Sequence, residues 1–170
     1  MGKLLTLILL LAIWSCQSES RTTTGSLKLK TPSGELIKTR LVYTPKDMEQ
    51  GLSGTKPDQF GETEGMLFFY LADDEKNFWM PDTHFDLDLI YLDQSLTIND
   101  IIRKLQHYIG RSNPELIPRA RSVYARHVLE MKATSPVSAK LKIGDKLQWV
   151  SGQTLEQTTQ KITKELQAPQ

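Results

Sequence analysis

From residue 27 onward, apolar and polar positions alternate at the spacing of a β-strand. Leu27 and Leu29 alternate with Lys28 and Lys30, and Ile37, Thr39, Leu41 and Tyr43 share one face of a second segment. Thr31-Pro32-Ser33-Gly34 lies between them as a turn, so the two read as a hairpin. Thr44-Pro45 places a capping hydroxyl before a proline at the first helical position and predicts a short helix to about Leu52. Residues 53–64 read as loop, Met66 to Leu71 as a continuous apolar strand, and Asp73-Asp74-Glu75-Lys76 as an exposed turn. Leu87 to Leu92 is apolar on both parities apart from Asp88, which predicts a strand buried on both faces. Asp93-Gln94-Ser95 turns the chain into a strand near 96–105, and residues 106–121 read as an irregular excursion. Val123 to Lys132 predicts a further strand. Ser135-Pro136 predicts a short helix with Gly144 just past its end, and Lys146 to Val150 a last strand. The tail from Ser151 is polar and Gln/Thr-rich, with a loose helix over 154–166 that has little apolar face to dock.

This pattern predicts an α+β class fold that is mainly β: a single compact domain of six or seven short strands, forming a partly closed barrel-like sheet, with two short helices. The chain has 170 residues with 21 Lys+Arg against 20 Asp+Glu, a balance that argues against nucleic-acid binding through bulk charge. Its one cysteine excludes an internal disulfide, a multi-cysteine zinc site and an iron–sulfur cluster.

That cysteine stands at the end of the apolar run Leu4 to Trp14, which follows Lys3. Eleven helical residues span about 16 Å, against a hydrocarbon core of about 30 Å, so the run has the length of an export signal rather than of a membrane span. Ile13-Trp14-Ser15-Cys16 resembles a bacterial lipobox, with Trp14 in a place usually held by a smaller residue. The expected organisation is a signal peptide over 1–15, a lipidated Cys16 and flexible tether over 16–25, a globular β-rich domain over 26–150 and a polar tail over 151–170. Two acyl chains on Cys16 suffice for stable anchoring. Gln17 is not the Asp that usually retains a lipoprotein in the inner membrane, so the expected location is the cell envelope, on the periplasmic leaflet of an outer membrane if there is one.

The segments Gly51-Leu52, GMLFF at 65–69, FWMPDTHFDLDLIYLD at 78–93, VLEM at 128–131 and IGD at 143–145 follow one another in a specific order. In that order they resemble the bacterial and archaeal family called domain of unknown function 192. The resemblance spans about residues 27–150 and implies a small β-rich domain, frequently behind a signal peptide, with no assigned activity. Pro81-Asp82 replaces the family's Lys-Asn, Asp86 replaces its Pro, Ala133-Thr134-Ser135 replaces its small glycine-containing turn, and residues 106–121 show no clear match.

Candidate chemistry centres on residues 79–88 and on Glu130. Trp79, Thr83, Asp88 and Glu130 are the candidate ligand-binding residues. Asp88 and Glu130 each interrupt an apolar strand, and a buried carboxylate needs donors. Either the two form a polar pair at the mouth of a pocket, or each accepts hydrogen bonds from amides, Arg126 or Thr83 and pins loops. Trp79, beside Phe78 and Met80, reads as core packing or as an exposed stacking platform. Asp82, His84, Asp86 and Asp88 are spaced by two, so on an extended strand they would share a face and suit a divalent metal; on a loop they would diverge into water. No other cofactor is implied. His107 and His127 read as surface or pocket-edge residues. Residues 57–100 carry eleven acids and only Lys76, whereas residues 103–127 carry six Lys/Arg and one Glu, so the two segments are expected to pack together and compensate.

No nucleophile–base constellation is evident. The leading expectation is therefore a non-catalytic binding module of the cell envelope, with an unidentified envelope ligand or protein as partner and the membrane as anchor. The alternative is a carboxylate- or metal-dependent hydrolase of envelope glycans that uses Asp88 and Glu130. A purely structural envelope protein is the third.

Overall fold

The computed structural model describes residues 27–168. The expected signal peptide over 1–15 and the expected lipidated Cys16 and tether over 16–25 lie outside the described residues. Among the described residues, nine strands and two α-helices run in the order β1 (Lys28–Lys30), β2 (Leu36–Val42), α1 (Pro45–Gln50), β3 (Glu64–Phe68), β4 (Asp74–Lys76), β5 (Leu87–Leu92), β6 (Ile98–Leu105), β7 (Val123–Ala125), β8 (His127–Lys132), β9 (Gln148–Val150) and α2 (Leu155–Gln167).

Seven strands form one sheet in the order β6-β5-β8-β3-β2-β1-β9. Only β2 and β3 pair in parallel, and the sheet curls into a half-barrel. A bridge between Thr97 and Lys146 joins the approach to β9 to the approach to β6, so the two edges of the sheet meet at one end. Such closure covers edges that would otherwise be open to pairing.

The central strands are buried on both faces, as the double-parity apolar pattern predicts. Leu67, Ile90, Leu92, Leu129 and Met131 face one core. Met66, Phe68, Leu87, Leu89, Tyr91 and Val128 face the other. Where β3 crosses β8 and β2 there is no room for a side chain. A Cβ on Gly65 would stand 2.7 Å from Leu129 Cδ1 and 3.0 Å from Ile37 Cγ2. Gly65→Ala is therefore expected to destabilise by about 1–3 kcal/mol through overpacking, read as a lowered midpoint of urea unfolding. An unchanged midpoint would show that Leu129 and Ile37 give way freely.

Four elements differ from the sequence pattern. Asp74–Lys76 is not a free turn but β4, which pairs with β7 in a separate two-stranded sheet. The strand expected over Val123 to Lys132 divides at Arg126 into β7, which pairs with β4, and β8, which pairs with β5, and Arg126 at the break forms an ion pair with Asp73. The helix expected after Ser135-Pro136 is a single 3-10 turn at Ser138–Lys140. Gly144 serves a later turn, with φ of 92° and its amide donating to the Ile98 carbonyl at 2.8 Å.

The tail helix is not loose. Thr154 caps it reciprocally with Gln157, at 3.1 and 2.9 Å. Ile162 is buried in the first core, and Tyr43 donates to Glu165 at 2.7 Å.

Candidate functional site

Antiparallel pairing sets the faces of the two interrupting carboxylates. Asp88 lies opposite Met131, and Leu89 lies opposite Glu130. Directly opposed residues share a face and successive residues do not. Asp88 and Glu130 therefore project from opposite faces of the same sheet. They cannot form the paired carboxylates of a hydrolase, and this corrects that reading.

Asp88 is fully committed to the fold. A bulge in β6 sets two residues, Arg103 and Lys104, against Asp88 alone. Lys104 there has φ of 53°, and its amide donates to Asp88 Oδ1 at 2.9 Å. Asp88 Oδ2 accepts from Arg103 Nη1 and from Ser138 Oγ, both at 2.7 Å. The same guanidinium donates to the Ser138 carbonyl at 2.8 Å and the Leu141 carbonyl at 2.7 Å. The donors are thus a backbone amide, that of Lys104, as expected, together with Arg103 and Ser138 in place of Arg126 or Thr83, and the outcome is a pinned loop.

Glu130 has no such partners. It is buried between Met66 of β3 and Leu89 of β5, directly opposite it on the flanking strands. Its Oε2 and the Tyr91 hydroxyl are the two buried side-chain polar atoms that lack a hydrogen-bond partner among the described residues. Burial pushes the Glu130 carboxyl up to about 8. Burial also raises the Tyr70 hydroxyl to about 12, helped by the nearby Glu130 charge. Tyr91 is raised as well, first by burial.

Glu130 lines a cavity of about 110 Å³ that also takes in Phe68, Tyr70, Phe78, Trp79, Met80 and Thr83. Trp79 is 41% exposed, so the core-packing reading fails and the residue stands at the rim, with Arg119 over its ring at 4.9 Å. Met80 behind it is buried. Segment 78–83 is held by backbone pairing to the 106–121 excursion: Ala120 donates to Phe78 at 2.9 Å, Met80 to Pro118 at 3.1 Å and Thr83 to Tyr108 at 2.9 Å. Its other side is tied to the turn after α1 by Ser53 Oγ, which donates to the Pro81 carbonyl at 2.6 Å. Thr83 is buried, and its hydroxyl reaches the Pro81 carbonyl at 3.4 Å. Three of the four candidate ligand-binding residues thus meet at one cavity, and Asp88 lies outside it.

The four metal candidates do not converge. Asp82 contacts His84 at 3.2 Å, Asp86 pairs with His107 at 2.6 Å, and Asp88 is held by Arg103. Asp82 breaks the extended spacing with φ of 49°, so the residues spaced by two do not share a face. Among the described residues, no group of three or more His, Cys, Asp and Glu side chains could hold a metal ion. The expected charge compensation is present instead: Asp73 pairs with Arg126, Asp88 with Arg103 and Asp100 with Arg121.

His127 was expected at the surface or a pocket edge but is buried against Phe69, ring centroids 4.3 Å apart, and its Nδ1 accepts from the Tyr70 amide at 3.3 Å. Burial, then the Arg126 charge, lowers it to about 3.

The family model of DUF192, described as "Uncharacterized ACR", matches residues 28–149. The chain belongs to this family. A protein of Sinorhizobium meliloti 1021, described provisionally as a transcription regulator, is similar in structure with a TM-score of 0.56 at 26% identity, covering 72% of this chain and 91% of that one. A protein of unknown function from Novosphingobium aromaticivorans DSM 12444 has a TM-score of 0.57 at 24% identity, covering 72% of this chain and 83% of that one, and shares the fold. No curated protein matches the chain. The DUF192 match ends before α2, so the docked tail helix lies outside the family domain.

Proposed function

We propose that this DUF192 protein is an exported envelope protein, anchored through lipid on Cys16, whose β-domain binds a small ligand without turning it over. One observation carries the binding reading: the buried Glu130 carboxyl, with Oε2 unpartnered, lines a cavity whose rim holds the exposed Trp79. Buried polar groups are nearly always hydrogen-bonded, and exceptions concentrate where a ligand or a proton is handled. The opposed faces of Asp88 and Glu130 leave the proposed hydrolytic pair without a basis. The anchor rests on the sequence of residues 1–25, and no described helix is long and apolar enough to cross a membrane.

Two experiments test this reading. In NMR spectra of the full chain in nonionic micelles, mixtures of small fragments are expected to shift amides of residues 48–53 and 77–83. Met48→Trp, which fills the cavity from α1, is expected to abolish those shifts. Shifts scattered over the surface, or unchanged by Met48→Trp, would overturn the pocket. For the anchor, radiolabelled palmitate is expected on the wild-type chain and absent from Cys16→Ala, and an unlabelled wild-type chain would overturn it.

A further inference from the structure

We propose that the ligand of this cavity is a small organic cation, a primary amine or methylated ammonium, for which Glu130 is the counter-ion. The inference rests on the pocket reading above and names the class of molecule it takes.

The charge of the lining is one-sided. Its ionisable side chains include the two carboxylates Glu49 and Glu130, and no Lys, Arg or His. A lone buried carboxyl is costly in its charged form unless a cation joins it. The protein's nearby cations lie over two rings of the lining and not on Glu130. Lys76 places its Nζ 3.8 Å from the centre of the Tyr70 ring, and Arg119 sits over Trp79. These two contacts also show that rings at this site attract cations.

The remaining wall fits the same ligand. Phe68 and Phe78 meet edge-to-face, with centroids 4.9 Å apart, and Met48 and Met80 add thioether surface. Rings and polarisable sulfur around one carboxyl form a box for the diffuse charge of an alkylammonium group. A hard metal ion fits poorly, because it takes about six or more oxygen ligands. Size gives the last constraint. A dry cavity of about 150 Å³ holds benzene, so the 110 Å³ here would take roughly four or five heavy atoms. The cationic head of a larger molecule could enter while the rest passes Trp79.

The test compares matched probes on the full chain by NMR titration. Tetramethylammonium and n-butylammonium are expected to shift amides of residues 48–53 and 77–83. Their neutral partners of equal heavy-atom count, tert-butanol and n-butanol, are expected to bind at least tenfold more weakly. Glu130→Gln, which keeps the shape and cannot ionise, is expected to weaken the cations at least tenfold and the neutral probes far less. Neutral probes binding as tightly as cations would overturn the cation while the pocket stands. Fragment shifts without any cation shift would do the same. Failure of both fragments and cations would overturn the cation and the pocket together.

Discussion

Asp88→Ala is expected to destabilise the domain by about 2–4 kcal/mol, because it removes a buried carboxylate that accepts three hydrogen bonds, one of them from the partly exposed Arg103. The carboxylate accepts from Arg103, Ser138 and the Lys104 amide. Its loss leaves the guanidinium with only the Ser138 and Leu141 acceptors and leaves the Lys104 amide without its acceptor. The 3-10 turn at Ser138–Lys140 is tied to β6 through the same guanidinium, so the damage extends to the second loop. Asp88→Asn keeps the volume but turns one acceptor into a donor toward Arg103, and about 2–4 kcal/mol is expected. Urea unfolding of both variants checks this. Midpoints within about 0.5 kcal/mol of the wild type, the range of ordinary surface changes, would refute the pinning role.

The second large effect is a stability profile that falls on both sides of mildly acidic pH. Glu130 has a native value near 8 against an ordinary 4.5. A raised carboxyl keeps its proton in the native state while the unfolded chain has lost it. Its contribution is therefore fully present below 4.5 and is lost as pH rises to about 8. His127 has a native value near 3 against an ordinary 6.5. A lowered histidine stays neutral in the native state while the unfolded chain is protonated. Its contribution is present above 6.5 and is lost as pH falls toward 3. The two trends oppose each other between 4.5 and 6.5, so a plateau is expected there, with decline above and below. Glu130→Gln is expected to remove the alkaline decline and to gain about 1–3 kcal/mol at pH 8, part of the relief being offset by an unmet buried amide. His127→Gln is expected to flatten the acid limb. Urea midpoints from pH 3 to 9 measure both, and a monotonic wild-type profile would contradict the assignment.

Much of this architecture is legible along the chain, because strand parity carries it. The double-sided apolar run at Leu87 to Leu92 announces a central strand, and the interruptions at Asp88 and Glu130 announce buried carboxyls that need an explanation. Parity within one strand cannot say which face of the sheet a residue takes, however. That depends on the register of β5 against β8, which opposes Leu89 to Glu130 and so puts Asp88 on the other side. Arg103 was equally hidden: its route to Asp88 runs through a β6 bulge that leaves no signal in composition. Asp74-Glu75-Lys76 reads as a turn because every residue is charged, yet β7 supplies a partner strand and Tyr70 a ring for Lys76. The tail looks undockable because its apolar content is low, but Ile162 with Leu155 beside it suffices once a capping box sets the helix. Trp79 reads as core by its neighbours, and only the pairing of residue 79 with Arg119 turns it outward.

The binding site rests on the buried Glu130 carboxyl, whose Oε2 has no hydrogen-bond partner among the described residues. The most direct test is the ¹³Cδ shift of Glu130 in the full chain, followed from pH 4 to 10. The expected result is a titration midpoint near 8, with no inflection near 4.5. A midpoint in the ordinary glutamate range would mean a hydrated or partnered carboxylate, and the binding site built on it would fall.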